Sequence, residues 1–282
     1  MAEVAEVARF VRTALEFSAL RWLIVIGVAA LLFYQGRQKV RWSRFARELG
    51  IVVTAYVVYF SVRVFTEGSE ERALLNAGRI IELEQRLFLF HEESWQAVVI
   101  DRHEIVTLMN WIYIWGHWPV IGLVAAWLYM NRPTVYPVVR NAFMISGGIG
   151  LVVFAAFPVA PPRFTDLAVV DTVTEYSRAY RVFQPPQFSN VYAAVPSLHF
   201  GWNLLIGLVL LRESRRLAVR ALGVLLPFAM FAAIVLTANH FVIDAVFGAA
   251  VALSGLGIAA SMYAVQRRPE RFQPTPGVWR NT

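Results

Sequence analysis

Long apolar stretches alternate with short polar breaks along this chain. A helix of about 20 apolar residues matches the roughly 30 Å hydrocarbon core of a membrane. The pattern therefore predicts an all-α fold, a polytopic membrane helix bundle of about seven spans. The spans are expected near residues 18–34, 49–65, 106–130, 142–157, 196–211, 219–236 and 240–265.

Three segments differ from this pattern. Residues 1–17 mix charged and apolar side chains, which predicts an amphipathic segment at the membrane surface and no removable signal peptide. Residues 66–105 are acidic but keep helical apolar spacing, which predicts extracytoplasmic interfacial helices. Residues 269–282 contain three prolines and are expected to form a disordered cytoplasmic tail. The rest, 18–268, is expected to be one transmembrane domain with its catalytic core at 139–265.

The composition excludes an ordinary soluble domain. The apolar fraction is 58%, whereas average globular proteins have about 45–50%. A net charge of +7 would suit a nucleic-acid binder, but the basic residues occupy the breaks between apolar spans. That placement indicates membrane topology and contact with anionic lipids, so no nucleic-acid partner is expected. Cysteine is absent, which excludes disulfides.

Basic residues cluster in alternate breaks. One cluster follows the first predicted span, another follows the fifth, and a third precedes the tail. Under the positive-inside rule these breaks face the cytoplasm, which places the N-terminus outside. We therefore expect a multi-pass protein of the cytoplasmic (plasma) membrane. The clusters consist of Arg37, Lys39, Arg41, Arg44 and Arg47, of Arg212, Arg215, Arg216 and Arg220, and of Arg267, Arg268 and Arg271.

Two histidines open predicted spans, and ionisable residues at membrane depth usually mark functional sites. Asp244 follows His240 by one helical turn, so its carboxylate can accept the imidazole Nδ1–H and leave Nε2 with the lone pair. The pair also fits a structural contact between packed helices, and both interpretations stay open. His199 follows Pro196 and Ser197 at a helix start, where free backbone N–H groups favour phosphate.

Under this topology His199 and His240 are expected at the extracytoplasmic face, and further polar residues fall in the same layer. Arg163 ends the fourth span, where it would bind phosphate or extend to lipid headgroups. The third span enters from this side with Asn110, Tyr113 and His117 on one stripe. Two histidines and an aspartate could ligate zinc, but no HExxH spacing is present and the aspartate already serves a histidine. No metal site and no cofactor are expected.

The motif Pro-Ser-Leu-His at residues 196–199, followed by His240 and Asp244, resembles the type 2 phosphatidic acid phosphatase superfamily. The resemblance covers the predicted fourth to seventh spans. In that superfamily the second histidine attacks phosphorus, the aspartate orients it, and the first histidine protonates the leaving oxygen. The resemblance therefore implies that His240 is the nucleophile, Asp244 its partner and His199 the general acid.

The sequence departs from the phosphatase branch at two positions. Leu198 stands where that branch has glycine, and Ile234 stands where it has an arginine six residues before the nucleophile. A Lys-x6-Arg-Pro motif is also absent. We expect Arg163 to replace the missing phosphate-binding arginines, with Arg178 and Arg181 as weaker candidates. The other candidate phosphate- or substrate-binding residues are Ser197, Asn239, His117, Tyr113 and Asn110.

Other features are more similar to the inositol phosphorylceramide synthase branch, whose members are inositolphosphotransferases. These features are the Ser-Leu-His form, the Ala-Pro-Pro-Arg stretch at 160–163, and the segment from Glu82 and Glu84 to His91 and Glu92. That branch transfers a phosphoinositol headgroup between lipids, which implies a lipid alcohol or inositol-type acceptor.

The expected function is metal-independent lipid phosphatase or phosphotransferase chemistry through a phosphohistidine intermediate. The substrate would be a phospholipid or a lipid phosphate within the membrane. Water as acceptor gives a phosphatase and an alcohol gives a transferase, and the sequence leaves both open. Two other classes stay open, a transporter with a His/Asp proton relay and a non-catalytic membrane scaffold. The clustering of the polar residues at one face argues against a relay across the membrane.

Overall fold

Residues 42–66, 68–176 and 190–266 are described by a computed structural model. Within these ranges the regular secondary structure is helical, apart from one β-bridge between Val159 and Ala193. The predicted first span, N-terminal segment and tail lie outside these ranges, as do Arg178 and Arg181. The helices, in chain order, are α1 Trp42–Phe65, α2 Glu70–Arg86, α3 Glu92–Val99, α4 His103–Trp115, α5 Trp118–Asn131, α6 Tyr136–Ala156, a 3-10 turn Pro162–Phe164, α7 Thr172–Tyr176, α8 Leu198–Glu213, α9 Leu217–Leu236 and α10 Val242–Gln266.

Four of these helices, α1, α6, α9 and α10, are long and apolar enough to cross a membrane. A fifth candidate arises if α4 and α5, which meet at a bend of 47°, count as one span. Helix α8 has 16 residues, and at 1.5 Å per residue it is about 24 Å long, shorter than a hydrocarbon core. The described ranges therefore form an all-helical bundle with four or five candidate spans, and the predicted seven are not confirmed.

The predicted span 106–130 is two helices and not one. Helices α4 and α5 separate at Gly116 and His117. Pro119 has no N–H to donate to the preceding turn, and Gly116 has low helix propensity. His117 therefore lies in the break between two helices, and not on the continuous helical stripe that the sequence predicted.

Helices α2 and α3 occupy the acidic segment 66–105, as its apolar spacing predicts. The Ser69 side chain accepts the Arg72 N–H at the start of α2, and Glu70 and Glu71 complement the helix dipole there. Their position at a membrane interface stays a prediction. The buried face of α2 packs against the loop that follows α6 and the start of α10, in a cluster that includes Ala73, Ala77, Ile80, Val159, Ala160 and Phe241.

Two glycines bring the helices that follow the two histidines into backbone contact. A Cβ added at Gly201 on α8 would lie 2.3 Å from the Gly248 carbonyl oxygen on α10. A Cβ added at Gly248 would lie 2.2 Å from the Ser197 carbonyl oxygen. Both distances are far below van der Waals contact, so a larger residue fits only if a helix moves. The start of α8 is thereby fixed against the first turns of α10.

Candidate functional site

An open cleft lies at one end of the bundle, where several helix termini meet. Its cavity volume is about 70 Å³. The ends of α1 and α6, the start of α8 and the link between α9 and α10 border it. The polar groups in its lining belong to Tyr59, Arg63, Tyr113, His117, Arg163, Asn190, His199, Asn239 and His240.

The His240 ring is held by two acceptors at one nitrogen. Nδ1 lies 2.8 Å from the Ala194 carbonyl oxygen and 3.2 Å from Asp244 Oδ2. A carbonyl can only accept, so Nδ1 carries the proton and Nε2 carries the lone pair. Burial lowers the pKa of His240 against the opposing effect of this carbonyl, and the charges of Arg163 and Arg63 lower it further. An oriented, neutral imidazole of this kind can act as a nucleophile or a base.

Three carboxyl side chains accept the first free backbone N–H groups of α10. Asp244 Oδ2 accepts from Phe241 at 2.9 Å. Glu92 and Glu84 accept from the next two residues, at 2.8 Å and 2.7 Å. The first N–H groups of a helix have no partner within the helix, and its dipole favours negative charge there. Helices α2 and α3 are therefore tied directly to the turn that carries the His240–Asp244 pair.

The two glutamates in this arrangement are fully buried. Burial, and after it the neighbouring Glu92, raise the pKa of Glu84 well above its ordinary value. Glu84 is therefore protonated near neutral pH, and its Oε1 still accepts the backbone N–H. The start of α10 thus binds one extra proton when the protein is folded.

The turn that presents Asn239 and His240 is the C-terminal cap of α9. The N–H groups of Ala238 and Asn239 donate to carbonyls in the last turn of α9, at 2.9 Å and 3.2 Å, in the Schellman pattern. Ala238 has a φ of 56°, a left-handed conformation in which glycine is usual. The Arg163 N–H donates to the Ala238 carbonyl at 3.2 Å, which ties the turn to the loop after α6.

The His199 ring is packed between two other rings. Its centroid lies 4.5 Å from that of Tyr113, which is stacked on it, and 4.3 Å from that of His117. Asn203 Nδ2 donates to the His199 carbonyl at 2.9 Å and lies 3.4 Å from His117 Nδ1. The centroids of His199 and His240 are 5.9 Å apart. The two histidines are therefore close enough to act on one phosphoryl group.

Ser197 and Leu198 shape the start of α8. Ser197 is fully buried, and its hydroxyl accepts the Phe200 N–H as the helix N-cap. Its own N–H donates to the Asp244 carbonyl at 3.0 Å, which links the two motifs. Leu198, at the position of the phosphatase-branch glycine, lines the cleft and packs on Gly150, where an added Cβ would lie 3.0 Å from the leucine Cδ1.

Arg163 and Asn239 meet at the cleft wall. Arg163 Nη1 donates to Asn239 Oδ1 at 2.5 Å, and its Nε forms an ion pair with Asp171 Oδ2 at 3.2 Å. The guanidinium charge is therefore partly balanced within the protein.

Asn110 lies apart from the cleft. Its Nδ2 donates to the Thr172 carbonyl at 2.8 Å, and its Oδ1 accepts the Thr172 hydroxyl at 2.8 Å. Asn110 thus holds the short helix α7 against α4, and its assignment as a substrate contact stays a prediction. The other predicted site residues come together, with His199, His240, Arg163, Asn239, His117 and Tyr113 in the cleft lining and Asp244 and Ser197 directly behind it.

Arg63 is a cleft residue that the sequence analysis did not single out. It lies in the last turn of α1 and lines the cleft with the histidines. It is the only charged residue in the predicted span 49–65, and an ionisable residue inside an apolar span is a signal for function. The sequence alone does not show how α1 packs against the other helices, so it does not place Arg63 at the cleft.

Metal binding has no ready-made ligand set in the ranges that the structure describes. No three His, Asp or Glu side chains are grouped there in a way that could hold a metal ion. The expected independence of the reaction from metal stays a prediction.

Comparison with known proteins adds the family. Residues 78–258 match the family model described as the PAP2 superfamily, a region that includes His199, His240 and Asp244. No curated protein and no solved structure matches the chain significantly. The comparisons therefore do not distinguish the inositol phosphorylceramide synthase branch from others. The matched region exceeds half of the 282 residues, and its two histidine motifs converge on one cleft: the chain belongs to the PAP2 superfamily.

Proposed function

We propose that this protein transfers a phosphate-containing group from a membrane lipid through a phosphohistidine intermediate at His240. Membership of the PAP2 superfamily indicates phosphatase or phosphotransferase activity on lipid phosphates. The observation that carries the choice of His240 is the Nδ1–H bond to the Ala194 carbonyl, because it leaves the lone pair on Nε2. Asp244 accepts the same proton and stabilises the imidazolium that forms.

In the first half-reaction, Nε2 of His240 forms a bond to phosphorus while the bond from phosphorus to the leaving oxygen breaks. Protonated His199 donates its proton to that oxygen, so the lipid alcohol leaves neutral. In the second half-reaction, water or another alcohol attacks phosphorus and gives its proton to His199. The bond between nitrogen and phosphorus then breaks, which restores His240 without any further reactant.

Catalysis of phosphoryl transfer depends mainly on positioning and on neutralising charge at the phosphorus. Arg163 is proposed to bind a non-bridging phosphate oxygen, with Asn239 holding its guanidinium in place. Tyr113 and His117 are proposed to position His199 through their ring contacts. Metal takes no part in this scheme.

The acceptor decides whether the protein is a phosphatase or a transferase. The Ser-Leu-His motif and the acidic helices α2 and α3 support the inositolphosphotransferase-like branch, with a lipid alcohol as acceptor. The basic breaks support a cytoplasmic-membrane protein of about seven spans with its cleft on the extracytoplasmic side.

The proposal is tested by incubating the purified protein in EDTA with labelled lipid phosphates and phosphoinositides, with and without lipid alcohols. Free phosphate as the labelled product identifies a phosphatase, and a new labelled lipid identifies a transferase. Activity that is lost in EDTA and restored by zinc or magnesium contradicts the metal-free mechanism. No turnover, together with solute flux in liposomes, would favour a transporter.

Substrates with different leaving groups distinguish the roles of the two histidines. A lipid alkoxide needs a proton to leave, whereas a nitrophenolate scarcely does. His199→Ala should therefore lose about 10²–10⁴-fold on a lipid phosphate and recover much of that loss on nitrophenyl phosphate. His240→Ala should be inactive on both substrates. If nitrophenyl phosphate restores activity to His240→Ala and not to His199→Ala, the roles of the two histidines are reversed.

A further inference from the structure

Arg63 reaches the cleft from a helix outside the region that defines the family. The family match begins at residue 78, whereas Arg63 lies in the last turn of α1. Its side chain forms part of the same wall as Tyr59, close to His117 and His199. An arginine at the end of a membrane helix commonly extends to lipid headgroups, but this one lines a protein cleft.

The Arg63 guanidinium is not fully paired within the part of the chain that the structure describes. Its Nε is buried and has no hydrogen-bond partner there. Leaving a charged donor buried and unpaired is costly, so a site of this kind is completed by an acceptor. Other arginines differ, since Arg72 donates to the Ala156 carbonyl and Arg140 is paired with Glu48.

The negative charge of a phosphate bound at the cleft also favours a second cation there. The charge of Arg163 is partly balanced by Asp171 at 3.2 Å. Six residues before His240, where the phosphatase branch has an arginine, this chain has Ile234. Its side chain is fully buried in an apolar cluster. Among the residues that the structure describes, a phosphate at His240 would therefore have only one partly neutralised arginine in the cleft lining if Arg63 took no part.

We propose that Arg63 is the second phosphate-binding cation of this cleft, and that it donates to a non-bridging oxygen of the phosphate group attacked by His240. This assignment rests on the proposed function. The phosphate would lie between Arg63 on α1 and Arg163 on the loop after α6, with both histidines within reach. Arginine suits this role because its planar fork can donate two parallel hydrogen bonds to a phosphate.

The test measures binding of orthovanadate, a phosphate-like oxyanion, to the full-length protein, together with kcat and KM on a lipid phosphate. Arg63→Met keeps an apolar stem of similar length and removes the charge, and Arg63→Lys keeps the charge but not the fork. A hydrogen bond to a charged group corresponds to roughly a 10- to 100-fold effect. We expect vanadate to bind at least tenfold more weakly to Arg63→Met, with an intermediate loss for Arg63→Lys.

Arg86→Met is the matched control, because Arg86 is exposed on α2 and pairs only with Glu82 at 3.8 Å in the described ranges. It should bind vanadate as the wild type does. Added guanidinium should restore part of the activity of Arg63→Met, which a purely structural role would not allow. If Arg63→Met does not fold, the same comparison is made between Arg63→Lys and the wild type.

The outcomes for Arg63 and for the proposed function are separable. Wild-type vanadate affinity in a folded Arg63 variant, while His240→Ala abolishes turnover, overturns the assignment of Arg63 alone. Turnover of lipid phosphates that survives in His240→Ala overturns the proposed function itself.

Discussion

Gly248→Ala is expected to slow turnover by separating the two histidines. A Cβ at position 248 would lie 2.2 Å from the Ser197 carbonyl oxygen and 2.9 Å from its carbonyl carbon. Carbon and oxygen atoms normally approach no closer than about 3.3 Å, so α8 and α10 must move apart by about 1 Å. The clashing atoms belong to the backbone, so no side-chain rotation relieves the contact.

This displacement acts directly on the proposed catalytic geometry. Ser197 precedes His199 by two residues, and Gly248 follows Asp244 by one turn. A misplacement of about 1 Å can cost about 10² in rate, and the overpacking itself costs about 1–3 kcal/mol of stability. We expect kcat to fall about 100-fold while most of the protein stays folded in detergent.

The assay compares kcat on a lipid phosphate, with the folded fraction followed by circular dichroism and gel filtration. Gly257→Ala is the matched control, because it lies on the same helix and an added Cβ meets nothing within 4 Å. It should keep wild-type activity. Wild-type kcat in Gly248→Ala, or equal loss in Gly257→Ala, refutes the link between helix contact and catalysis.

Three further predictions concern stability and topology. Burial raises the pKa of Glu84 in the folded protein, so its contribution to stability is full below the ordinary pKa of 4.5 and is lost as pH rises through the raised value. Glu84→Gln should therefore flatten the decrease in Tm with rising pH, and equal slopes for the two proteins contradict this. Ala238→Gly should relieve the left-handed φ of 56° and raise the free energy of unfolding by up to about 1 kcal/mol, whereas a lower Tm argues against strain at this position. The chain has no cysteine, so an impermeant thiol reagent should label Ala168→Cys in intact cells and leave Ala218→Cys, at the other end of the bundle, unlabelled. The reverse labelling would place the cleft on the cytoplasmic side.

The sequence predicted the parts of the site that depend on short spacing. His240 and Asp244 are four residues apart, so a helical turn alone brings them together. Ser197 and His199 open α8 because proline and serine mark a helix start. The apolar runs of the sequence likewise predicted the candidate spans at α1, α6, α9 and α10.

The parts that were missed depend on contacts between distant segments. The Ala194 carbonyl that fixes the His240 tautomer is 46 residues away, and Glu84 meets the start of α10 across 159 residues. Arg63 joins the cleft only through the packing of α1.

One error was local. The predicted stripe on the third span was wrong because Gly116 and Pro119 interrupt the helix, and the apolar run around them obscured this signal.

In the proposed mechanism, His240 becomes covalently bonded to phosphorus during turnover. The direct measurement is to quench the protein during turnover of a lipid phosphate labelled in the transferred group and to locate the label by mass spectrometry of its peptides. We predict an acid-labile, base-stable phosphoramidate on the His240 ring, absent from His240→Ala and still formed by His199→Ala on nitrophenyl phosphate. A label on another residue, or full turnover with no covalent intermediate in the wild type, would contradict it.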